Sequence, residues 1–273
     1  MLIFESQSLE VYRNLAMEEY LMDHVADFGP ILFLWQSECA VVMGKNQNPW
    51  RECRLDLMEK EQVPLARRIS GGGTVYHDAG NLNYCVITSR EEYREEQAYT
   101  LVFQALETFG IRAEKTGKSN LSVNGFKFSG NAFAFRKGRA MHHGTLLLET
   151  DLRRLGRYLG SMVDGIETHA IASVPASVAN LGIEKGALMD ALKASFQKNY
   201  HGGEHLLWGE ENLESNVLNE IIARQGSAVW KLNATPHFSV NANEERLEIV
   251  KGVVQNGTRA GEQFADVAFS LFC

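Results

Sequence analysis

The chain has little that would place it in a membrane or on a nucleic acid. No apolar run approaches the roughly 20 residues that cross a bilayer. The first residues, Met1-Leu2-Ile3-Phe4-Glu5, show no basic segment leading into a long apolar one, so no secretory signal is expected. Basic residues are outnumbered, 27 Lys and Arg against 34 Asp and Glu in 273 residues, and the net charge is −7. That balance argues against a nucleic-acid surface and still permits one local basic pocket. Cysteine is scarce. Cys39, Cys53, Cys85 and Cys273 have no Cys-x-x-Cys spacing, so cysteine-pair zinc ligation is unsupported and reduced, mostly buried thiols are expected. There is no internal repeat and no low-complexity linker. A cytoplasmic protein without a membrane partner is the expectation.

What is present reads as alternating strands and helices, in a chain long enough to bury a full core. Apolar spacing predicts a helix from Asn14 to about Val25. Short apolar runs predict buried strands at Ile31–Trp35, Ala40–Met43 and Leu82–Thr88. Ala98 to Phe109, ended by Gly110, reads as an amphipathic helix. Asn124-Gly125 between alternating residues predicts a hairpin over 121–128, and Arg136-Lys137-Gly138 a second turn into a strand over 140–148. Residues 151–158, 187–200 and 212–225 read as helices. From about Trp230 the tail reads as strands, with 247–250 and 253–254 around a Lys-Gly turn. The mixture argues an α/β or α+β sheet flanked by helices.

The most informative stretch is Arg67-Arg68-Ile69-Ser70-Gly71-Gly72-Gly73-Thr74-Val75-Tyr76-His77-Asp78-Ala79-Gly80-Asn81. Three consecutive glycines let backbone N–H groups approach a ligand closely, and the arginines add fixed positive charge, a combination suited to a small anion. A surface turn would account for the glycines alone; the flanking Arg-Arg and His-Asp favour a site. The pattern is neither the Gly-x-Gly-x-x-Gly dinucleotide fingerprint nor a Walker A loop. Gly117-Lys118-Ser119 ends like a Walker A loop, but Arg112 stands where its first glycine belongs. A zinc site at His77, His142, His143 and His169 is disfavoured: adjacent strand residues point to opposite faces, and no cysteine or clustered carboxylate completes a set in the sequence.

The same stretch resembles the signature of lipoate–protein ligases, within the biotin/lipoate ligase superfamily. Three further motifs extend the resemblance: Leu32–Trp35 with Val41 through Gly44-Lys45-Asn46-Gln47-Asn48-Pro49-Trp50; Gly125-Phe126-Lys127-Phe128-Ser129-Gly130-Asn131-Ala132; and His142-His143-Gly144-Thr145-Leu146-Leu147-Leu148. Together they cover roughly residues 1–182. The resemblance implies a mostly antiparallel mixed sheet, similar to the catalytic domain of biotin ligases and to class II aminoacyl-tRNA synthetases. It implies a catalytic domain at 1–228, with 229–273 a short remnant of an accessory domain that some relatives obtain as a separate small chain.

The implied reaction has two steps. Lipoate and ATP, with Mg²⁺ travelling on the nucleotide, give lipoyl-adenylate; a lysine of a lipoyl domain or of an H-protein-like carrier then displaces AMP. The resemblance makes Lys127 the catalytic cation, facing away from the rings of Phe126 and Phe128, and Arg68 a phosphate and carboxylate clamp. Arg67 reads as structural. Ser70 and Gly71, Gly72 and Gly73 would cradle the acyl-adenylate, Thr74, Val75 and Tyr76 would present a strand edge to adenine, His77 would contact phosphate or orient the loop through Asp78, Asn81 would hold the loop or the nucleotide, and Asn120 would belong to the nucleotide-binding set. No protein-held metal is implied. Two departures stand out: Asn120 where the family usually has Asp, and Ala134 where it often has Arg or Lys, a role that Arg136 or Arg139 would fill only in a different local loop. Pro175 is like the lipoyltransferase branch. These departures keep open a lipoyl or octanoyl transferase that uses a preformed donor, and a non-catalytic lipoate-binding protein; a thioester route is disfavoured because Cys85 lies in an apolar strand and Cys273 is terminal. Biotin ligation fits the loop less well.

Overall fold

The computed structural model describes residues 1–200, 206–208, 210–242 and 245–272. In chain order it begins with β1 (Leu2–Glu5), α1 (Val11–Phe28), β2 (Ile31–Trp35), β3 (Cys39–Met43), α2 (Pro49–Glu52), α3 (Leu55–Lys60), β4 (Leu65–Arg67), β5 (Val75–Asp78) and β6 (Asn81–Ser89). There follow α4 (Glu95–Glu107), β7 (Glu114–Thr116), β8 (Asn120–Val123), β9 (Phe126–Arg136), β10 (Arg139–Leu147), α5 (Leu152–Tyr158), β11 (Glu167–Thr168) and α6 (Lys185–Asn199). The rest holds β12 (Leu206–Trp208), α7 (Ser215–Gly226), a π-helical turn at Val229–Asn233, β13 (Phe238–Ala242), β14 (Glu245–Val250), β15 (Val253–Val254) and α8 (Phe264–Phe272). Among the described residues no helix is long and apolar enough to cross a membrane.

The chain forms two compact units, Met1–Glu38 with His77–Leu152 and Pro175–Ile222, and Cys39–Tyr76 with Arg153–Val174 and Ala223–Cys273. This grouping differs from a division at 228/229: the tail shares its unit with the Gly-rich loop.

The first unit is built on an eight-stranded sheet of order β12-β1-β2-β6-β10-β9-β8-β7. β1 runs parallel to β12 and β2, and the remaining neighbours are antiparallel. Its hairpins follow from local chemistry. Asn124 and Gly125 have φ of 52° and 82°, and Lys137 and Gly138 have 48° and 73°. Positive φ at both central residues is the requirement of the turn whose twist matches paired strands. One sheet face carries Leu32, Leu34, Leu82, Tyr84, Val86 and Phe128 against α4 and α6. α1 covers the opposite face, and it starts at Val11 rather than Asn14 because the Glu10 carboxylate accepts the N–H groups of Tyr12 and Arg13.

The second unit pairs a small sheet of order β4-β3-β5 with another of order β11-β13-β14-β15. The β14–β15 turn uses the anticipated Lys251-Gly252, with φ of 49° and 76°. Asn48 caps α2 with Pro49 at its first position, which drives fully buried Trp50 into the core. There it meets Phe238 and, edge-on at 4.9 Å, Phe264. The strand expected at Trp230 is instead the π-helical turn, and strands resume at Phe238. α8 was not anticipated; its nine residues bury Phe264, Val267 and Ala268.

Candidate functional site

In the second unit the Gly-rich loop leaves β4 beside its parallel neighbour β3. Lys45 N–H donates to the Ser70 carbonyl at 2.8 Å and Arg68 N–H to that of Met43 at 3.1 Å. The approach is so close that a Cβ on Gly44 would lie 2.2 Å from the Gly72 carbonyl oxygen. Only glycine fits there.

Arg68 organises this loop. Its Nε donates to Ser70 Oγ and Gly71 O, Nη1 to Val42 O, and Nη2 to Gly71 O and Gly73 O at 2.6 and 2.7 Å. The guanidinium is buried, and its fork is turned onto the loop's own carbonyls. Arg67, fully buried, binds the carbonyls of Lys45, Gln47, Trp230 and Lys231 and the hydroxyl of Thr235. Burial lowers its pKa to about 10, so it stays charged at neutral pH. Thr74 is held through both its N–H and its hydroxyl, to Ser173 and Gln47. Val75 opens β5, and the Tyr76 ring is a core group against Tyr158.

In the first unit, buried His77 stands edge-on to Trp35 at 5.4 Å. The Asp78 carboxylate accepts the N–H groups of Gly80 and Asp151, so it shapes the turn. Asn81 is fully buried and donates to Asn83, leaving its Oδ1 with no protein donor among the described residues.

Lys127 lies one residue into β9. Its backbone pairs with Ser177 O and Ala179 N, a bridge that adds residues 177–179 to the hairpin. Its side chain is half-buried and folds back so that Nζ is 3.0 Å from where a Gly130 Cβ would sit. Gly130 pairs directly with Asn120 on β8, which brings Lys127 and Asn120 to the same patch of the sheet. The two flanking rings do not share an environment: Phe128 enters the core, while Phe126 is half exposed at the turn. Ala134 sits opposite Met141. Arg136 is engaged with Glu19 and Asp23, and Arg139 with Asp23, so both are committed to α1.

β10 places its two histidines in different polar clusters, on opposite faces as expected. His142 Nε2 donates to Asn131 Oδ1 at 3.0 Å, and Tyr84 O–H donates to the same oxygen. Gly144 completes this cluster by omission, since a Cβ there would lie 2.4 Å from Asn131 Oδ1. Burial, and then the neighbouring His143 and Lys115 charges, lower the His142 pKa to about 3. The unfolded imidazole takes up a proton below its ordinary 6.5, while the folded one stays neutral. Stability is therefore complete above 6.5 and lost as pH falls towards 3. Between pH 7.5 and 5.0 the loss is expected to be about 2 kcal/mol. Urea midpoints at the two pH values check this, and His142→Gln should show a smaller drop than the parent chain.

His143 corrects one expectation. A cysteine and a carboxylate do stand beside it: ligand atoms of Glu18, Cys85 and His143 lie within 4.8 Å of one another. The arrangement is one of hydrogen bonds. Glu18 accepts from His143 Nδ1 at 2.8 Å and from Trp35 Nε1 at 3.0 Å, and burial with the Glu18 charge pushes the Cys85 thiol up. A carboxylate already met by two N–H donors is stabilised without a metal. Gln47, Ser173, Glu18, Trp35 and Asn131 were not singled out from sequence. Trp35, Gln47 and Asn131 lay inside the motifs quoted above, but only the fold shows what their side chains hold. Cys273 lies outside the described residues.

Residues 10–200 match the family model described as the lipoyl protein ligase A/B catalytic domain. A lipoate-protein ligase A of Bdellovibrio bacteriovorus is 43% identical over 209 residues, 73% of this chain, and the chain spans only 62% of that relative's length. A human mitochondrial lipoyl amidotransferase is 38% identical over 255 residues, 89% of this chain and 68% of its own. A crystal structure of a lipoate-protein ligase A bound with ATP superposes with a TM-score of 0.69 at 25% identity, covering 84% of this chain and 97% of that one. The chain belongs to the family of lipoyl protein ligase A/B catalytic domains.

Proposed function

We propose that the protein is a lipoate–protein ligase: it activates lipoate with ATP and transfers the lipoyl group to a lysine of a lipoyl domain or H-protein-like carrier. The observation that carries this reading is the half-buried Lys127 ammonium held over Gly130 beside Asn120, in a chain whose family model spans the same hairpin. In the first step a lipoate carboxylate oxygen bonds to the α-phosphorus of ATP and pyrophosphate leaves. In the second the acceptor amine bonds to the acyl carbon, AMP leaves, and the amine nitrogen loses a proton. Both steps move negative charge between oxygens, and neither needs a protein nucleophile. A compact, mobile ammonium suits oxygens whose charge changes during reaction, so Lys127 is assigned to the reacting carboxyl and phosphate. Ser70, Gly71, Gly72, Gly73 and Thr74 are assigned to holding the acyl-adenylate through backbone donors, with Arg68 stiffening the loop from behind. Val75 and Tyr76 are assigned to the adenine edge, and Asn81, through its open acceptor, and His77 to support. Asn120 offers an amide oxygen where Mg²⁺ would want a carboxylate. No step is routed through a protein-held metal, and Mg²⁺ enters only on the nucleotide. A cytoplasmic location accompanies the reading.

Two points favour a second reading, transfer from a preformed lipoyl or octanoyl donor: Asn120 and Ala134 stand where the family resemblance leads one to expect charged residues, and one relative is a lipoyl amidotransferase. A thioester version is poorly served, because burial pushes the Cys53 and Cys85 thiols up. Pyrophosphate release decides between the readings. With ATP, Mg²⁺ and lipoate but no acceptor, a ligase should give a lipoate-dependent burst of about one pyrophosphate per chain. No burst, but transfer from synthetic lipoyl-adenylate to a lipoyl domain, would establish the second reading. Failure of both would overturn the activity.

A further inference from the structure

Resting on that activity, we propose that Gln47 and Ser173 form a polar clasp that keeps the Gly-rich loop in its ligand-ready shape. Both are positioning residues for binding of the acyl-adenylate. The Gln47 amide is completely buried and uses both ends. Its Oε1 accepts from Gly44 N–H and from the Thr74 hydroxyl, each at 2.9 Å. Its Nε2 donates to Ser173 Oγ at 3.0 Å and to the Ile171 carbonyl at 3.4 Å. Ser173 Oγ in turn accepts the Thr74 N–H at 2.9 Å, and Ser173 N–H donates to Glu52 Oε2 at 3.0 Å. Ile171 N–H donates to the Asn46 carbonyl at 2.9 Å. A Cβ on Gly73 would already stand 3.1 Å from Ser173 Oγ. One amide and one hydroxyl thus join the end of β3, the Gly-rich loop and the strap at 171–173.

The strap is also held just before its tip, where Arg51 Nη2 donates to the Ala170 carbonyl at 3.0 Å. Ile171 and Val174 are 50% and 84% exposed, so apolar burial does not anchor its tip. Polar bonds between segments far apart in sequence are what order the loop before a ligand arrives. A loop left disordered must be ordered on binding, which costs affinity, whereas the chemistry at Lys127 does not depend on the clasp once the ligand is bound. The signature is therefore weaker binding at an unchanged rate from the saturated complex.

Ser173→Ala removes the hydroxyl, Gln47→Ala removes the hub, and Ser173→Thr restores the hydroxyl. Two measurements are made on the whole chain. One is hydrogen exchange of the peptides covering 69–76 and 166–175 without ligand. The other is the affinity for synthetic lipoyl-adenylate by calorimetry, with single-turnover transfer to a lipoyl domain at saturation. Ser173→Ala should bind about tenfold more weakly, the loss of one or two hydrogen bonds, and should exchange faster in both peptides. Its saturated transfer rate should stay within about twofold, and Ser173→Thr should recover most of the affinity. Parent-like exchange and affinity in Ser173→Ala would overturn the clasp. If the parent chain fails to bind lipoyl-adenylate, the functional reading falls, and the exchange measurement alone still decides whether the clasp orders the loop. Should Gln47→Ala not fold, the Ser173 pair carries the test.

Discussion

Replacing Lys127 by alanine is expected to lower protein lipoylation by about a thousandfold while the chain stays folded. The size follows from what the ammonium is assigned to do. A preorganised donor aimed at developing charge contributes about 3–4 kcal/mol to the transition state. The fold is spared because the side chain is half-buried at the mouth of a hairpin whose strand pairing uses only the Lys127 backbone. Arginine should not rescue. A planar, delocalised guanidinium does not reproduce the compact point charge of an ammonium placed between two oxygens. Single-turnover transfer from lipoyl-adenylate to a lipoyl domain, beside a melting curve, is the check. A parent-like rate in Lys127→Ala would remove this lysine from the mechanism.

The second large effect concerns Arg67. Arg67→Met keeps the apolar stem and deletes every donor. It strips the carbonyls of Lys45, Gln47, Trp230 and Lys231 and the Thr235 hydroxyl of their partner. An abandoned buried acceptor costs about 1–3 kcal/mol, although some will reach water at the edge of the unit. A loss of about 4 kcal/mol, seen as a melting point lower by about 10 °C, is expected. The damage should be greater than removal of an ordinary surface ion pair such as Arg157–Glu61. Trp230 is the reciprocal partner, since its indole N–H donates to the Arg67 carbonyl at 2.6 Å. Trp230→Phe should therefore reproduce a smaller part of the loss. A melting point within about 3 °C of the parent for Arg67→Met would show that these carbonyls are satisfied in another way.

The two residues illustrate different kinds of legibility. Arg67 and Arg68 are neighbours in the sequence, and only the family resemblance gives them different roles there. The fold separates them by strand geometry: Arg67 ends β4 and reaches the π-helical turn, while Arg68 begins the loop and curls onto Gly71 and Gly73. From sequence Arg68 reads as a phosphate and carboxylate clamp; that its fork also meets the carbonyls of Gly71 and Gly73 depends on a loop shape that no motif spells out.

What the sequence determined by itself was whatever depends on a few adjacent residues. Asn124-Gly125 and Lys251-Gly252 turn where they do because consecutive residues accept positive φ. The apolar runs at Ile31–Trp35 and within Asn81–Ser89 became central strands because every side chain there had to be buried. The motif residues were enough to point to the family, since glycines and a lysine at set intervals reflect constraints inside single loops and hairpins. The tertiary structure alone decided the rest. The apolar and aromatic composition around Trp230 is compatible with a strand, but its indole N–H and carbonyl are claimed by Arg67, 163 residues earlier, and the backbone winds into a π-turn to meet it. Glu18 meets His143 across 125 residues and Ser173 meets Thr74 across 99. Hydrogen bonds of that span leave no periodicity in a sequence, because they depend on which segments the packed core brings side by side.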